Sequence, residues 1–89
     1  MKMVIATLSF VAGSETLSYD MEMPCQVEAK SLIVHICQTI QQYTEGRIFL
    51  DPNSLQLSCR RLNRTLHPQE TFDDAGIWNG DHLELQHRN

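Results

Sequence analysis

Residues 71–85 read TFDDAGIWNGDHLEL, and three short elements follow one another in this stretch. Thr71 is a residue type that favours a helix N-cap, so a single capped helical turn is predicted after it. Residues 78–81 contain an Asn-Gly pair, which is typical of a tight turn. Leu83 and Leu85 then alternate with polar residues, which indicates a final strand with one buried face.

The first quarter of the chain predicts a β-hairpin. Residues 3–11 are rich in β-branched and aromatic types and predict the first strand. A four-residue turn over 12–15 follows, in which Gly13 can supply a positive φ angle. Residues 17–23, LSYDMEM, alternate apolar and polar side chains, so they predict a second strand that Pro24 ends.

The apolar spacing changes from two to three and four between residues 27 and 43. This spacing predicts an amphipathic helix of about four turns. Residues 55–60 alternate again and predict a third strand, and a very short fourth strand is predicted at 65–66 before Pro68. The apolar stripe of the predicted helix consists of Ala29, Ile33, Ile36, Ile40 and Tyr43.

The predicted order is hairpin, helix, strand, short strand, capped turn and strand. We expect the final strand to pair in parallel with the first at the centre of the sheet, with the helix over its apolar face. The fold class is therefore α+β, a ββαββ roll with a mixed sheet packed on one helix. The 89 residues are expected to form a single domain, 1–89, because the chain is too short for a second core.

Composition disfavours several classes of protein. The net charge of −4 disfavours a nucleic-acid binder, which is usually basic. The longest apolar stretch falls short of the ~18–20 residues of a membrane span, and Thr7 and Ser9 interrupt the signal-peptide-like start. Three scattered cysteines disfavour a disulfide or zinc framework and favour a reduced, cytoplasmic setting.

No catalytic, metal or cofactor site is predicted, so the chain is not expected to be an enzyme. His35 and Cys37 are two residues apart on the predicted helix and therefore point in different directions. Cys37 and Cys59 fall at core positions. Cys25 is predicted to lie in a loop where it could react, but no neighbouring base is predicted to activate it.

The order of elements resembles the β-grasp fold of ubiquitin, with Phe72, Ile77, Leu83 and Leu85 at the family's core positions. The hairpin end YDMEMP, the helix starting at Val27 and the ending AGIWNGDHLEL are similar to the YukD/EsaB family. These are small ubiquitin-like proteins of type VII (Ess/Yuk, WXG100) secretion in Gram-positive bacteria. The resemblance implies a cytosolic accessory or regulatory component that binds protein partners of the secretion machinery non-covalently, without nucleic acid or membrane insertion.

Two departures from ubiquitin bear on this expectation. The sequence ends Gln-His-Arg-Asn rather than Gly-Gly, so conjugation through its tail is not expected. By alignment, Arg60, Glu84 and Gln86 occupy the face where ubiquitin exposes an apolar patch. Two alternatives stay open: a ubiquitin-like domain excised from a larger, EccD-type membrane protein, and a sulfur carrier or modifier with a longer reading frame ending in Gly-Gly.

Two groups of residues are predicted to contact a partner. Arg60, Arg61 and Arg64 form a basic cluster that would suit an acidic surface, although a solvated face is the alternative reading. Val34 falls outside the helix stripe, and with Trp78 it would form an apolar contact patch if the indole is exposed. The alternative for Trp78 is that it covers one end of the core.

Overall fold

The computed structural model describes residues 2–88, which form a mixed β-sheet packed against one long helix. The strand order across the sheet is β2-β1-β5-β3-β4. The elements in chain order are β1 (Met3–Ala12), β2 (Glu15–Pro24), α1 (Ala29–Tyr43), a 3-10 turn (Pro52–Ser54), β3 (Leu55–Cys59), β4 (Arg64–Thr65), α2 (Phe72–Ala75) and β5 (His82–His87).

The centre of the sheet is the parallel pair β1–β5, as predicted. Its register runs from Thr7 opposite His82 to Phe10 opposite Leu85. The other three pairs, β1–β2, β3–β5 and β3–β4, are antiparallel. The predicted α+β fold with a mixed sheet is therefore confirmed.

The core lies between one face of the sheet and α1. Alternate residues of β1 are buried, and the helix contributes Leu32, Ile36 and Ile40. Tyr43 was expected in the same stripe, but it is 65% exposed. It is the last helical residue and packs against Tyr19 at the margin of the core, with the ring centroids 5.7 Å apart and the ring planes tilted by 57°.

Several predicted boundaries were wrong by one or two residues, among them the end of β3, which is Cys59 rather than residue 60. The hairpin turn has two residues rather than four, because Ala12 already pairs with Glu15. The helix begins at Ala29, since Glu28 has extended backbone angles. The fourth strand is Arg64–Thr65, and Leu66 instead belongs to the buried core.

The predicted capped turn before β5 is present as α2. The Thr71 hydroxyl accepts a hydrogen bond from the Asp74 amide, and the Thr71 amide donates to the Asp74 carboxylate. Gly76 ends the turn with φ +76, a left-handed conformation that glycine adopts without steric cost. The Asp73 carboxylate accepts from Lys2. Both carboxylates of this turn therefore have structural roles.

Candidate partner-binding surface

Within residues 2–88, no helix covers the face of the sheet opposite α1, and we call this side the open face. It collects the alternate residues of each strand that do not enter the core. Most of its side chains are polar, and Ile5 and Val11, 52% and 64% exposed, are its most exposed large apolar side chains. The open face consists of Ile5, Thr7, Ser9 and Val11 of β1, Thr16, Ser18, Asp20 and Glu22 of β2, Gln56 and Ser58 of β3, and His82, Glu84 and Gln86 of β5.

A hydrogen-bonded network occupies the middle of the open face. The Ser9 hydroxyl lies 2.8 Å from Nε2 of His82, and Nη2 of Arg60 lies 3.4 Å from the same nitrogen. A guanidinium has donors only, so Nε2 of His82 is the acceptor in the contact with Arg60. Nη2 of Arg60 also donates to Glu84 over 3.3 Å.

The Ser9–His82 pair brings a hydroxyl and an imidazole together from neighbouring strands. A serine nucleophile needs a base that is held by a third group, as well as donors for the developing oxyanion. Among residues 2–88, no hydrogen bond reaches Nδ1 of His82, and Ser9 also contacts the Ser18 hydroxyl. These contacts join neighbouring strands, so we assign them a structural role.

At one end of the sheet, a buried carboxylate holds an arginine over an exposed indole. Asp81 is 7% exposed and accepts from Nε and Nη2 of Arg61 at 2.8 and 2.9 Å. Nη2 of Arg61 also donates to the Gly76 carbonyl at 2.6 Å. The guanidinium carbon lies 3.8 Å from the ring centroid of Trp78, which is 64% exposed.

The turn that carries Trp78 is fixed by local and long-range hydrogen bonds. Oδ2 of Asp81 accepts from the Trp78 amide at 2.8 Å. The Ile5 amide donates to Oδ1 of Asn79, and the Gly80 amide donates back to the Ile5 carbonyl, both at 2.8 Å. This turn therefore sets Trp78, Arg61 and Ile5 at one end of the sheet, and we call these three residues the Trp78 surface.

The guanidinium of Arg61 also governs the ionisation of Asp81. Hydrogen bonds from Arg61 lower the pKa of this carboxyl below its usual range, and the donating Trp78 amide acts in the same direction. The pKa of Glu70 is also lowered, because Arg64 donates hydrogen bonds to both of its carboxylate oxygens, at 2.9 and 2.7 Å.

The three predicted arginines each have a carboxylate neighbour. Arg61 pairs with Asp81, Arg64 with Glu70 and Arg60 with Glu84. The charge of the predicted basic cluster is therefore balanced locally. Partner binding by these residues stays a prediction.

The apolar candidates are both exposed. Val34 lies on the outer face of α1 and is 42% exposed. The exposure of Trp78 shows that the alternative in which it covers one end of the core is wrong. Arg61 and Asp81 hold the indole at the end of the sheet instead.

The sequence did not reveal the role of Asp81. An aspartate after Asn-Gly is ordinary turn chemistry, and its pairing with Arg61 depends on bringing together residues that are 20 positions apart. Ile5 was also missed, because residues 3–11 carry apolar side chains at both odd and even positions, and this pattern does not show which face of the strand remains open. For Asp81, the only available signal was its position directly before a strand, with the cluster of Arg60, Arg61 and Arg64 upstream.

The three cysteines are free and buried. Burial raises the pKa of Cys37 to about 11, so its thiol stays protonated at neutral pH. Cys25 lies in the turn between β2 and α1, as predicted, but its side chain is 1% exposed within the core, so the expectation that it could react was wrong. No group of three His, Cys, Asp or Glu residues within 2–88 could hold a metal ion. Neither α-helix in that range is both long enough and apolar enough to span a membrane.

The fold places the chain in the ubiquitin-like β-grasp class. It aligns with a ubiquitin from Caldiarchaeum subterraneum at 19% identity and TM-score 0.69, covering 99% of this chain and 96% of that one. The ubiquitin-like domain of PLXNC1 aligns at 13% identity and TM-score 0.80, covering 98% and 100%. A ubiquitin-like domain from Arabidopsis thaliana aligns at 13% identity and TM-score 0.69, covering 100% and 81%.

Within this class, residues 5–85 match the family model described as WXG100 protein secretion system (Wss), protein YukD. The chain belongs to the YukD family, and the predicted resemblance is confirmed. It is a ubiquitin-like module associated with this secretion system. No curated protein matches it in sequence.

Proposed function

We propose that this YukD-family chain is a non-enzymatic, cytoplasmic protein-binding module, acting as an accessory or regulatory component of the secretion system. It binds another component of the machinery non-covalently, and the Trp78 surface is the centre of the contact. The observation that carries this proposal is an exposed indole held in one position by Arg61 and a buried Asp81.

An exposed tryptophan in a fixed orientation suits protein recognition. Tryptophan and arginine are enriched among the residues that contribute most to binding energy at interfaces. Because the Trp78 amide is bonded to Asp81 and the ring is stacked on Arg61, little conformational entropy remains to be lost on binding. A partner can cover the free side of the indole, with Ile5 extending the apolar contact.

Arg60, Arg64 and Val34 are proposed as secondary contacts. The Arg60–Glu84 pair is largely exposed, and surface pairs of this kind are worth only about 0–1 kcal/mol. A partner carboxylate can therefore replace Glu84 as the acceptor at little cost. Arg64 has two hydrogen bonds to Glu70 and is less easily redirected.

The test is secretion of the system's own substrates by cells that carry Trp78→Ala. The matched control is Phe49→Ala, which removes another exposed aromatic side chain, 74% exposed, from a different loop. Both variants should fold, because neither ring is buried. We expect Trp78→Ala to reduce secretion and Phe49→Ala to leave it unchanged.

Unchanged secretion with a folded Trp78→Ala protein would refute the proposed surface. Charge reversal at Arg60 and Arg64 together tests the secondary contacts. It should reduce secretion less than Trp78→Ala, and partner binding should weaken as salt is added. If the charge-reversed protein supports full secretion and its partner binding does not depend on salt, these two arginines belong to a solvated face.

A further inference from the structure

The hairpin leaves a long strand edge without a partner. β2 is the first strand in the order β2-β1-β5-β3-β4, so within residues 2–88 it is paired on one side only. Its pairing with β1 runs without a bulge over ten positions, from Met3 opposite Pro24 to Ala12 opposite Glu15. An unbroken, regular edge of this length is a template for a further strand.

The register shows which backbone groups of β2 face outward. The amides of Ile5 and Thr7 are bonded on the β5 side of β1, to Asn79 and Asp81. Neighbouring strand residues alternate in direction, so the even-numbered residues of β1 bond to β2, where their partners are odd-numbered. The amides and carbonyls that point away from β1 are therefore those of Thr16, Ser18, Asp20 and Glu22.

Part of the usual protection of an edge strand is missing from the middle of β2. Natural sheets guard their edges with charged side chains, above all lysine, with proline or with a bulge. Between residues 16 and 23 there is no lysine and no proline, and Pro24 blocks only the end. The open-face side chains here include Asp20, which accepts from the Thr7 hydroxyl, and Glu22, which forms no ion pair within the described range 2–88.

The helix-facing side of the same edge is apolar and partly exposed. Leu17 and Tyr19 are half-buried, whereas Met21 and Met23 further along are buried. The exposed ring of Tyr43 packs against Tyr19 in a tilted arrangement. A strand added to β2 would therefore meet aromatic and aliphatic side chains on one face and carboxylates on the other.

We propose that the free edge of β2 accepts an extended segment of a partner protein in which apolar and basic residues alternate. The backbone of the segment bonds to the four outward-facing residues, its apolar side chains lie beside Leu17 and Tyr19, and its lysines or arginines lie beside Asp20 and Glu22. This inference does not depend on the Trp78 surface.

A second copy of the chain fits the edge less well. Two β2 strands paired antiparallel across a twofold axis perpendicular to the sheet would place both open faces on the same side. Asp20 and Glu22 of each copy would then add to one acidic face, in a protein of net charge −4. Charge complementarity favours a basic partner.

The probe is the synthetic peptide acetyl-Tyr-Lys-Val-Lys-Val-Lys-Val-amide, added to the isotope-labelled full chain. At saturation, hydrogen exchange should slow by about tenfold or more at the amides of Thr16, Ser18, Asp20 and Glu22. The amides of Leu17, Tyr19 and Met21 already bond to β1, so their exchange should change little. A peptide with glutamate in place of each lysine should not bind.

Two controls separate strand addition from non-specific attraction. Methylating the peptide nitrogens that face β2 should abolish binding, and methylating the alternate nitrogens should not. Glu22→Lys should weaken binding by about threefold to tenfold, because it turns an opposite-charge pair into a like-charge pair. Glu45→Lys makes the same charge change at an exposed position after α1 and should have little effect.

Three results would overturn the proposal. The first is no binding of the lysine peptide, and the second is binding that survives methylation of the peptide nitrogens facing β2. The third is protection of the four outward amides that rises with protein concentration in the absence of peptide, which would assign the edge to a second copy.

Discussion

Replacing Asp81 with alanine should loosen both the fold and the Trp78 surface. The change removes a 7% exposed carboxylate that accepts from Arg61 at two positions and from the Trp78 amide. Losing the acceptor of a buried, charge-assisted hydrogen bond costs about 1–3 kcal/mol. The guanidinium keeps access to water and to the Gly76 carbonyl, so the expected loss is about 2 kcal/mol, in the middle of that range.

Thermal unfolding and tryptophan fluorescence measure the two effects separately. For a domain of this size, a loss of about 2 kcal/mol corresponds to a drop in Tm of about 8–16 °C. Trp78 is the only tryptophan, so its fluorescence anisotropy reports directly on the ring. Anisotropy should fall in Asp81→Ala at temperatures where the protein is still folded.

The matched control is Glu84→Ala, which removes the partner of Arg60 on the same strand. That pair is exposed, so the expected change in stability is below about 1 kcal/mol and the fluorescence of Trp78 should be unaltered. Equal Tm values for Asp81→Ala and Glu84→Ala, with unchanged anisotropy in both, would refute the role assigned to Asp81.

Three further predictions concern the core, the thiols and acid stability. Ile36→Ala should lower the free energy of unfolding, measured in urea, by about 2–5 kcal/mol. Val34→Ala, on the outer face of the helix, should change it by no more than about 0.5 kcal/mol. Similar losses for the two variants would mean that α1 packs differently. Reductant plus chelator should leave Tm unchanged, and Cys37 should not react with a thiol reagent at pH 8 in the folded protein, a result that rapid labelling would contradict. Arg61 and Arg64 lower the pKa values of Asp81 and Glu70 in the folded protein, so these carboxylates stabilise the fold at pH values above their unfolded pKa values of about 3.9 and 4.3. This stabilisation is lost as the pH falls through the folded pKa values. Asp81→Asn with Glu70→Gln should therefore flatten the acid limb of a stability profile, and an unchanged limb would exclude both carboxylates as its cause.

The sequence predicts the fold well because the deciding signals are local. Alternation in β5, the helical spacing in α1 and the cap at Thr71 each act within a few residues, and the structure confirms all three. Tyr43 was placed wrongly because spacing gives the direction of a side chain but not where the sheet beneath the helix ends. The predicted hairpin turn was too long because the alternation of apolar and polar residues does not show where pairing between the two strands ends.

The candidate site was harder to predict because it depends on which residues meet across the sheet. The sequence shows that Arg60, Arg61 and Arg64 are close together, but not that each has a carboxylate beside it. Their partners lie 24, 20 and 6 positions away. The same limit applies to Trp78, whose exposure follows from the way Asp81 anchors its turn.

The most direct test of the central claim is site-specific photo-crosslinking in cells that carry the native secretion system. A photoreactive residue replaces Ile5, which is exposed beside the Trp78 turn, and a second variant carries it in place of Phe49. We predict that position 5 gives an adduct with a component of the secretion machinery, identified by mass spectrometry, and that Trp78→Ala abolishes this adduct. Position 49 should give no such adduct. The same adduct from both positions, or an adduct from position 5 that survives Trp78→Ala, would contradict partner binding through the Trp78 surface.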